Sequence, residues 1–403
     1  MQVSDHDWQP PAGAPGPRAD AAGSADWPPP APAWAPPPAP APVPPPSPSG
    51  WAPPPAPAGW TPPPKPGLLP LRPLDFGTLL WAPFRTLRRN PAPVFGTGLV
   101  VQLVTAVATA AVFVPLLVWL FGRMESASAE DLDAILSGTV GWLIVLSFVP
   151  IAVSIVAGAF LQGVMVVEVA SGTLGERLTF SALWRRAARR IGPLIGWTLL
   201  VGAIVGLVVA LVMAGVVAAA FVSPEAAIVA VVVALVLFLG LAVLWAWLGT
   251  KLALVPSVIV LERAGVVQSV RRSWRLTEGY FWRTFGIILL VGVIVGTAAQ
   301  VVVQPVSIAG TVLAAIIDPT GSGAALTITV VTTVVTMALS ILVGAITSVV
   351  QAAVIAVVYI DLRMRTEGLD LQLERHVEAR DAGLPVGDPY LDVPTGGPAP
   401  TWT

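Results

Sequence analysis

Six long apolar runs, separated by short charged segments, dominate the chain from about residue 94 onward. Each run exceeds the ~20 residues that a helix needs to cross the hydrocarbon core of a bilayer. Runs of this length fit helices rather than barrel strands, because backbone groups in lipid must be hydrogen-bonded within the segment. The pattern predicts an all-α, polytopic transmembrane helical bundle with six spans, at roughly 94–121, 139–167, 194–222, 226–250, 285–316 and 326–360.

Two features leave the span count open by one. Gln304 and Pro305 interrupt the fifth run, as expected for a broken helix. Residues 252–261 form a further apolar stretch that is too short to span a bilayer. We interpret this stretch as the end of the fourth helix, kinked at Pro256, or as a segment lying at the membrane interface.

An aromatic-Arg pair occurs three times, each followed eleven residues after the Arg by a Gly near the start of an apolar run. The pairs are Phe84-Arg85, Trp184-Arg185 and Trp274-Arg275, with glycines at Gly96, Gly196 and Gly286. Regular recurrence of a pattern predicts repeated architecture. We therefore expect three parallel units, each a membrane hairpin preceded by a basic, interfacial amphipathic helix.

The middle basic segment shows the amphipathic pattern most clearly. Its apolar residues from Phe180 to Ile191 follow helical spacing, and four arginines occupy the other side. Such helices are expected in the interface plane, with Arg side chains near anionic headgroups, unless their charges only anchor the topology. The candidate headgroup contacts are Arg85, Arg88, Arg89, Arg185, Arg186, Arg189, Arg190, Arg271, Arg272 and Arg275.

The distribution of basic residues predicts the orientation. Of the 22 Lys and Arg residues, only Arg123 falls in a loop on the side opposite the termini. Under the positive-inside rule, both termini are cytoplasmic. We therefore expect a multi-pass protein of the bacterial cytoplasmic (plasma) membrane, with the lipid bilayer and its anionic lipids as its first partners.

Composition excludes several kinds of chemistry. Hydrophobic residues make up 55% of the chain and charged residues 11%, with a mean hydropathy of +0.79. The net charge of −1 gives no argument for a nucleic-acid partner. The chain has no Cys and only two His, and it lacks a phosphate loop, a Ser-His-Asp set and an HExxH motif. We therefore predict no enzyme activity, no catalytic residues, no metal and no cofactor.

Both ends of the chain differ from the apolar part. Residues 1–70 hold 26 of the 42 prolines and predict a disordered Pro/Ala-rich cytoplasmic tail, which could also bind a protein that recognises proline-rich segments. Residues 71–365 form the predicted six-span domain. Residues 366–403 predict a mostly disordered cytoplasmic C-terminal tail.

Polar and small residues inside the spans suggest two kinds of contact. Five amides could line a polar path across the membrane, or they could hydrogen-bond between helices. Gly202 with Gly206, and Gly292 with Gly296, form small-residue faces that predict close helix contacts. The five amides are those of Gln102, Gln162, Gln300, Gln304 and Gln351.

Three segments, Arg72 to Pro91, Leu261 to Arg283 and Tyr359 to Asp370, resemble the glycerophosphoryl diester phosphodiesterase membrane-domain family of bacterial proteins. Members with phosphodiesterase activity carry a separate soluble catalytic domain, which we do not expect here. The resemblance thus implies a polytopic membrane protein of unassigned function.

Our leading hypothesis is a lipid-associated organiser or scaffold without catalytic machinery. The alternatives are a transporter or channel for a small or lipid-like molecule, and a membrane subunit that serves a separate glycerophosphodiester phosphodiesterase.

Overall fold

The computed structural model describes residues 67–125, 128, 132–318 and 323–391. Most of the predicted Pro/Ala-rich tail, up to residue 66, and residues 392–403 lie outside the described residues, so the disorder predicted there remains a prediction. The described part is helical and contains no strand, which confirms the all-α fold. In chain order its helices are α1 (Phe76–Arg89), α2 (Pro91–Glu125), α3 (Leu132–Thr173), α4 (Phe180–Ala188), α5 (Ile191–Ala220), α6 (Pro224–Leu252), α7 (Val255–Leu261), α8 (Val266–Leu276), α9 (Phe281–Ile317), α10 (Ala324–Glu367) and α11 (Leu369–Asp381).

Six stretches are long and apolar enough to cross a membrane, which confirms the predicted number of spans. Each is longer than the corresponding apolar run, because the helices continue past the apolar residues into the charged segments. The six stretches are Pro91–Met124, Gly141–Thr173, Ile191–Ala220, Pro224–Leu261, Phe281–Ile317 and Ala325–Glu367.

Local sequence explains where several helices begin and end. The Asp75 carboxylate accepts a hydrogen bond from the Thr78 amide (3.0 Å) and caps the start of α1. The Ser223 hydroxyl accepts from the Ala226 amide (3.1 Å) and caps α6. At the far end of α10, Gly368 adopts φ +66°, a left-handed conformation that glycine tolerates and that ends a helix.

The three predicted units close into a ring. The second long helix of each unit contacts the first long helix of the next: α3 contacts α5, α6 contacts α9, and α10 returns to α2. The short basic helices lie at the same contacts between units: α4 packs on α3, α8 packs on α6 and α7, and α1 packs on α10. The ring therefore places all three basic helices at one end of the bundle, which we call the basic end.

The core of the bundle also lies at the basic end. Its cluster of buried side chains includes Leu79, Leu183, Val258 and Tyr359, each 0% exposed. Farther along the hairpins most large side chains are exposed, as shown by Leu211 (65%) and Leu235 (70%). The hairpins are thus held together mainly at one end.

Four details differ from the sequence predictions. The fifth span is not broken, because α9 continues through Pro305. Of the two interpretations of residues 252–261, the interfacial segment is wrong, because the side chains of residues 255–261 are buried against α3 and α8. The stretch instead continues the fourth span after a short turn next to Pro256, as the separate helix α7. Among the glycines of the predicted small-residue faces only Gly202 lies at a close contact, since a Cβ there would be 3.0 Å from the Ile155 side chain. A Cβ at Gly206, Gly292 or Gly296 would meet no atom within 4 Å, whereas one at Gly98 would lie 2.7 Å from the Ala345 carbonyl oxygen.

The fourth difference concerns the C-terminal segment. The sequence predicts a mostly disordered tail from residue 366, but the structure places α11 there and buries Tyr390 (3% exposed) against the bundle. Single apolar residues spaced through a charged segment gave too little periodic signal to predict this docking.

Candidate functional site

A cavity of about 600 Å³ opens at the basic end, between the last turns of α3, the basic helix α4, the buried helix α7 and the C-terminal segment. Its apolar lining comes from α3 and α7 and includes Val167, Ala170 and Val260. Volumes of 300–1,000 Å³ are typical of small-molecule sites. We call it the basic cavity.

Positive charge dominates the polar lining of the basic cavity. Five arginines face two carboxylates, those of Glu176 and Asp388, and the other polar side chains of the lining are Ser171, His376 and Tyr390. The arginines come from three separate parts of the chain: α4 with its C-terminal turn, the turn after α7, and α11. They are Arg186, Arg189, Arg190, Arg263 and Arg380.

The carboxylates bind these arginines only loosely. Arg186 lies 3.7 Å from Glu176, and Arg263 lies 3.5 Å from Asp388, with the arginine side chains about half exposed (52% and 51%). Exposed pairs of this kind contribute roughly 0–1 kcal/mol, because solvent screens them and two long side chains must be fixed. The guanidinium groups can therefore exchange these partners for a more strongly bound anion.

Arg263 adopts an unusual backbone conformation. Its φ of +56° is the only positive value at a non-glycine residue in the described part of the chain. The left-handed region costs an ordinary residue about 1–2 kcal/mol. Such strain persists where surrounding contacts fix it, often at functional sites. Here α7 and α8 meet at a sharp turn that directs Arg263 to the cavity.

The wall of the cavity opposite α4 is formed by the C-terminal strap, which we define as residues 384–391. Tyr390 anchors the strap, because its hydroxyl donates a hydrogen bond to the Ala170 carbonyl (2.9 Å). Burial raises the pKa of Tyr390 above its ordinary value. The backbone of Tyr390 in turn accepts from the Arg363 guanidinium (2.9 Å).

Arg363 belongs to a buried ionic network that the sequence did not predict. Its guanidinium contacts the Glu367 carboxylate (2.9 Å) and donates to the Tyr359 hydroxyl (3.1 Å). The Tyr359 hydroxyl donates to Glu262 (2.7 Å), which also pairs with Arg272 (2.9 Å). The network joins α10 to the ends of α7 and α8 behind the basic cavity.

A second network holds the chain segment that precedes α1. The Asp361 carboxylate accepts from the Leu74 amide (2.8 Å) and pairs with Arg365 (3.0 Å) and Arg283 (3.5 Å). Arg283 also donates to the Leu74 carbonyl (2.6 Å). The carboxylate and the two arginines therefore fix the start of the first unit to the last span, which closes the ring.

The ten candidate headgroup arginines separate into three groups. Arg186, Arg189 and Arg190 line the cavity. Two others are used within the protein: Arg272 is buried against Glu262 and Glu367, and Arg89 donates to the Gly172 carbonyl. The remaining five are exposed on the basic helices: Arg85, Arg88, Arg185, Arg271 and Arg275.

The apolar face of the basic helix α4 packs on protein. Leu183 and Ala187 of α4 are buried. The Trp184 ring packs at 4.6 Å on Phe160 and donates to the Thr97 hydroxyl (3.1 Å). Helix α4 therefore differs from the predicted insertion of the apolar face into lipid, whereas Val267 (69%) of α8 stays exposed.

The five glutamines do not gather into one path. Gln162 donates to the Ala352 carbonyl (3.4 Å), and the side chain of Gln102 lies against Gly344, so both join spans to α10. Gln300, Gln304 and Gln351 are exposed on α9 and α10. None of the five lines the basic cavity or the apolar cleft of about 700 Å³ between α5 and α6.

Within the described residues, no group of three or more His, Asp or Glu side chains is placed to hold a metal ion. The chemistry that the basic cavity supports is the binding of an anion.

Comparison with known proteins matches one family model, described as Domain of unknown function (DUF7847), over residues 77–362. This range runs from the first turn of α1 nearly to the end of α10. It does not show the glycerophosphoryl diester phosphodiesterase membrane-domain family that the sequence motifs resemble. No curated protein matches, and no solved structure matches.

Proposed function

We propose that this chain, which belongs to the DUF7847 family, is a non-enzymatic protein of the bacterial cytoplasmic membrane that binds anionic lipid and organises it around its basic end. The positive-inside rule supports an orientation in which this end and both termini are cytoplasmic. The lipid would be recognised at the membrane surface and not inside the spans, where the glutamines form no common lining.

The observation that carries the proposal is the set of arginines exposed at one end of the bundle. Arg85, Arg185 and Arg275 occupy equivalent positions in the three repeats, and all three are exposed. Exposed aromatic side chains accompany them, such as Trp81 (59%) and Trp282 (79%). Aromatic residues with adjacent basic residues are typical of the membrane–water interface. Each Arg near an anionic leaflet contributes about 1 kcal/mol.

Lipid-selective fluorescence quenching tests the proposal. The chain is reconstituted into bilayers in which either phosphatidylglycerol or phosphatidylcholine carries bromine, which quenches nearby Trp side chains. We expect stronger quenching by the anionic lipid, and we expect the preference to disappear in the triple variant R85E/R185E/R275E. The reason is that three local attractions become repulsions, an effect that high salt should also weaken.

The matched control is R85K/R185K/R275K, which keeps the charge at the same three positions. We expect it to retain the preference for anionic lipid, because an attraction to a charged surface does not require the guanidinium fork. If the wild-type chain shows no preference, or if the triple Glu variant inserts normally and keeps the full preference, the proposed function is wrong.

A second candidate rests on the three motifs that resemble the glycerophosphoryl diester phosphodiesterase membrane domain. The basic cavity favours it, because the substrates and products of such an enzyme are phosphate esters, which suit clustered arginines. In this proposal the chain is a membrane subunit for a separate soluble phosphodiesterase. Fractions that co-purify with the chain should then release glycerol 3-phosphate from glycerophosphoglycerol, whereas the chain alone should not.

A further inference from the structure

We propose that the basic cavity is a stoichiometric binding site for one phosphate ester of the headgroup type, and that the C-terminal strap supplies one wall of this site. The inference rests on the proposed function, since it specifies how a single headgroup is held at the basic end. It goes further because it assigns the binding of the headgroup to a defined cavity and not to a charged surface.

The charges of the cavity point to phosphate. Arg189 and Arg190 follow each other at the end of α4, and Arg380 approaches from α11. Guanidinium groups from different directions can surround a tetrahedral anion and donate to several oxygens at once. Glu176 and Asp388 hold the rim arginines only weakly, so the incoming phosphate replaces long, solvent-exposed pairs.

The size and floor of the cavity point to an ester instead of a free anion. A volume of about 600 Å³ is much larger than an inorganic phosphate needs. The floor is apolar, since Val167 and Ala170 of α3, Leu174 in the turn after it, and Val260 and Leu261 of α7 line it. A glyceryl group or the first methylenes of a lipid could cover this surface, which an inorganic ion would leave in contact with water.

The strap makes the site conditional on the fold of the C-terminal segment. Asp388 and Tyr390 both line the cavity, and Tyr390 is fixed by Ala170 on one side and by Arg363 on the other. Arg363 also belongs to the buried ionic network with Glu262 and Glu367. This network connects the strap wall of the cavity to α7, α8 and α10. Detaching the strap should therefore remove the site while leaving the exposed arginines of α1 and α8 in place.

Native mass spectrometry of the full chain tests the inference. The probe is dioctanoyl-phosphatidylglycerol, with glycerol 3-phosphate and inorganic phosphate as soluble comparisons. We expect one saturable adduct per chain, and at least a tenfold weaker affinity in R189Q/R190Q. The control R72Q/R375Q removes the same charge from two exposed positions outside the cavity, and its affinity should stay within twofold of the wild type.

The outcomes separate the two proposals. Saturation by glycerol 3-phosphate alone would still support the site and would identify a soluble ester as its source. Equal losses in both double variants, binding without saturation at one adduct, or equally tight binding of inorganic phosphate would overturn the cavity site. They would leave the proposed function intact, because that depends on the lipid preference lost in R85E/R185E/R275E.

A strap variant provides an independent check. Tyr390→Ala removes the buried anchor, so it should lose the single adduct while keeping the preference for anionic lipid in the quenching experiment. Tyr390→Phe keeps the ring and removes only the hydrogen bond to Ala170, and it guards against general unfolding. Full retention of the adduct by Tyr390→Ala would contradict the role of the strap.

Discussion

At the scale of single residues, His376 is the side chain of the basic cavity that can respond to pH near neutrality. Burial lowers its pKa below the ordinary value, and Arg380 lowers it further, while Glu176 and Asp388 act in the opposite direction. His376 is therefore mostly neutral at pH 7. It gains a positive charge only when the pH falls below the ordinary His pKa of about 6.5.

This lowered pKa predicts tighter anion binding in mild acid. Between pH 7.5 and pH 5.5 a phosphodiester keeps its charge, whereas the protonated fraction of His376 increases as the pH falls. We expect the affinity for dioctanoyl-phosphatidylglycerol to rise about fivefold, because two unit charges 4 Å apart in water attract by ~1 kcal/mol. His376→Gln should flatten this dependence, as measured by adduct titration at each pH.

The lowered pKa of His376 has the opposite effect on the stability of the folded chain. The unfolded chain binds the His376 proton more readily than the folded chain, so without ligand the free energy of unfolding decreases as the pH falls below about 6.5. Acid should therefore weaken the empty protein while it strengthens ligand binding. An affinity that falls between pH 7.5 and pH 5.5 in the wild type would contradict the placement of His376 at the site.

Arg272 and Arg185 show how far residue-level prediction could reach. Both lie among the basic residues of an amphipathic helix, and the sequence assigned both to headgroups. Arg185 is exposed, but Arg272 is 9% exposed and pairs with Glu262 and Glu367. The difference arises from carboxylates 10 and 95 residues away, which no local pattern in one sequence could bring together.

At the scale of elements, the contact of α2 with α10 closes the ring and depends on a glycine. A Cβ at Gly98 would lie 2.7 Å from both the Ala345 carbonyl oxygen and a methyl group of Val349, so the helix backbones approach closely there. Gly98→Ala should therefore separate the two helices. We expect a loss of about 1–3 kcal/mol, typical of overpacking, seen as a lower thermal unfolding midpoint in detergent.

Gly206→Ala is the matched control for this contact. A Cβ at Gly206 meets no atom within 4 Å, and alanine is a better helix former than glycine. Its unfolding midpoint should be unchanged or higher. Equal destabilisation by the two substitutions would show that glycines matter here through general helix properties and not through the α2–α10 contact.

Some helices could be predicted from the sequence alone, and others could not. The long spans follow from apolar runs alone, since the bilayer requires that length. The end of α1 at Arg89 likewise follows from local sequence, because Pro91 disfavours the helical conformation at the residue before it. By contrast, α7 and α11 are short, and their placement depends on contacts with distant helices. The same holds for Gly98, whose close approach is set by a partner about 250 residues away in sequence.

At the scale of the whole molecule, the two ends of the bundle are held very differently. The basic end combines the buried cluster, two ionic networks and the strap. Toward the opposite end the hairpins bury few side chains, and the buried residues of α5 are only Leu194 and Trp197 in its first turns. A ligand at the basic end would thus bind to a rigid frame from which three loosely joined hairpins extend.

This asymmetry predicts different conformational spread at the two ends. The chain has no Cys, so two spin labels can be attached at a pair of introduced cysteines without removing any native one. For Met124 and Phe221, exposed at the opposite end, we expect a broad distance distribution in double electron–electron resonance experiments in nanodiscs. For Arg185 and Arg271, exposed on α4 and α8, we expect a narrow distance distribution.

The expected difference arises because few contacts between hairpins restrain the first pair of labels, whereas buried cores and ion pairs fix the helices that carry the second pair. Equally narrow distributions at both ends would mean that the surrounding lipid, or another copy of the chain, holds the hairpins together.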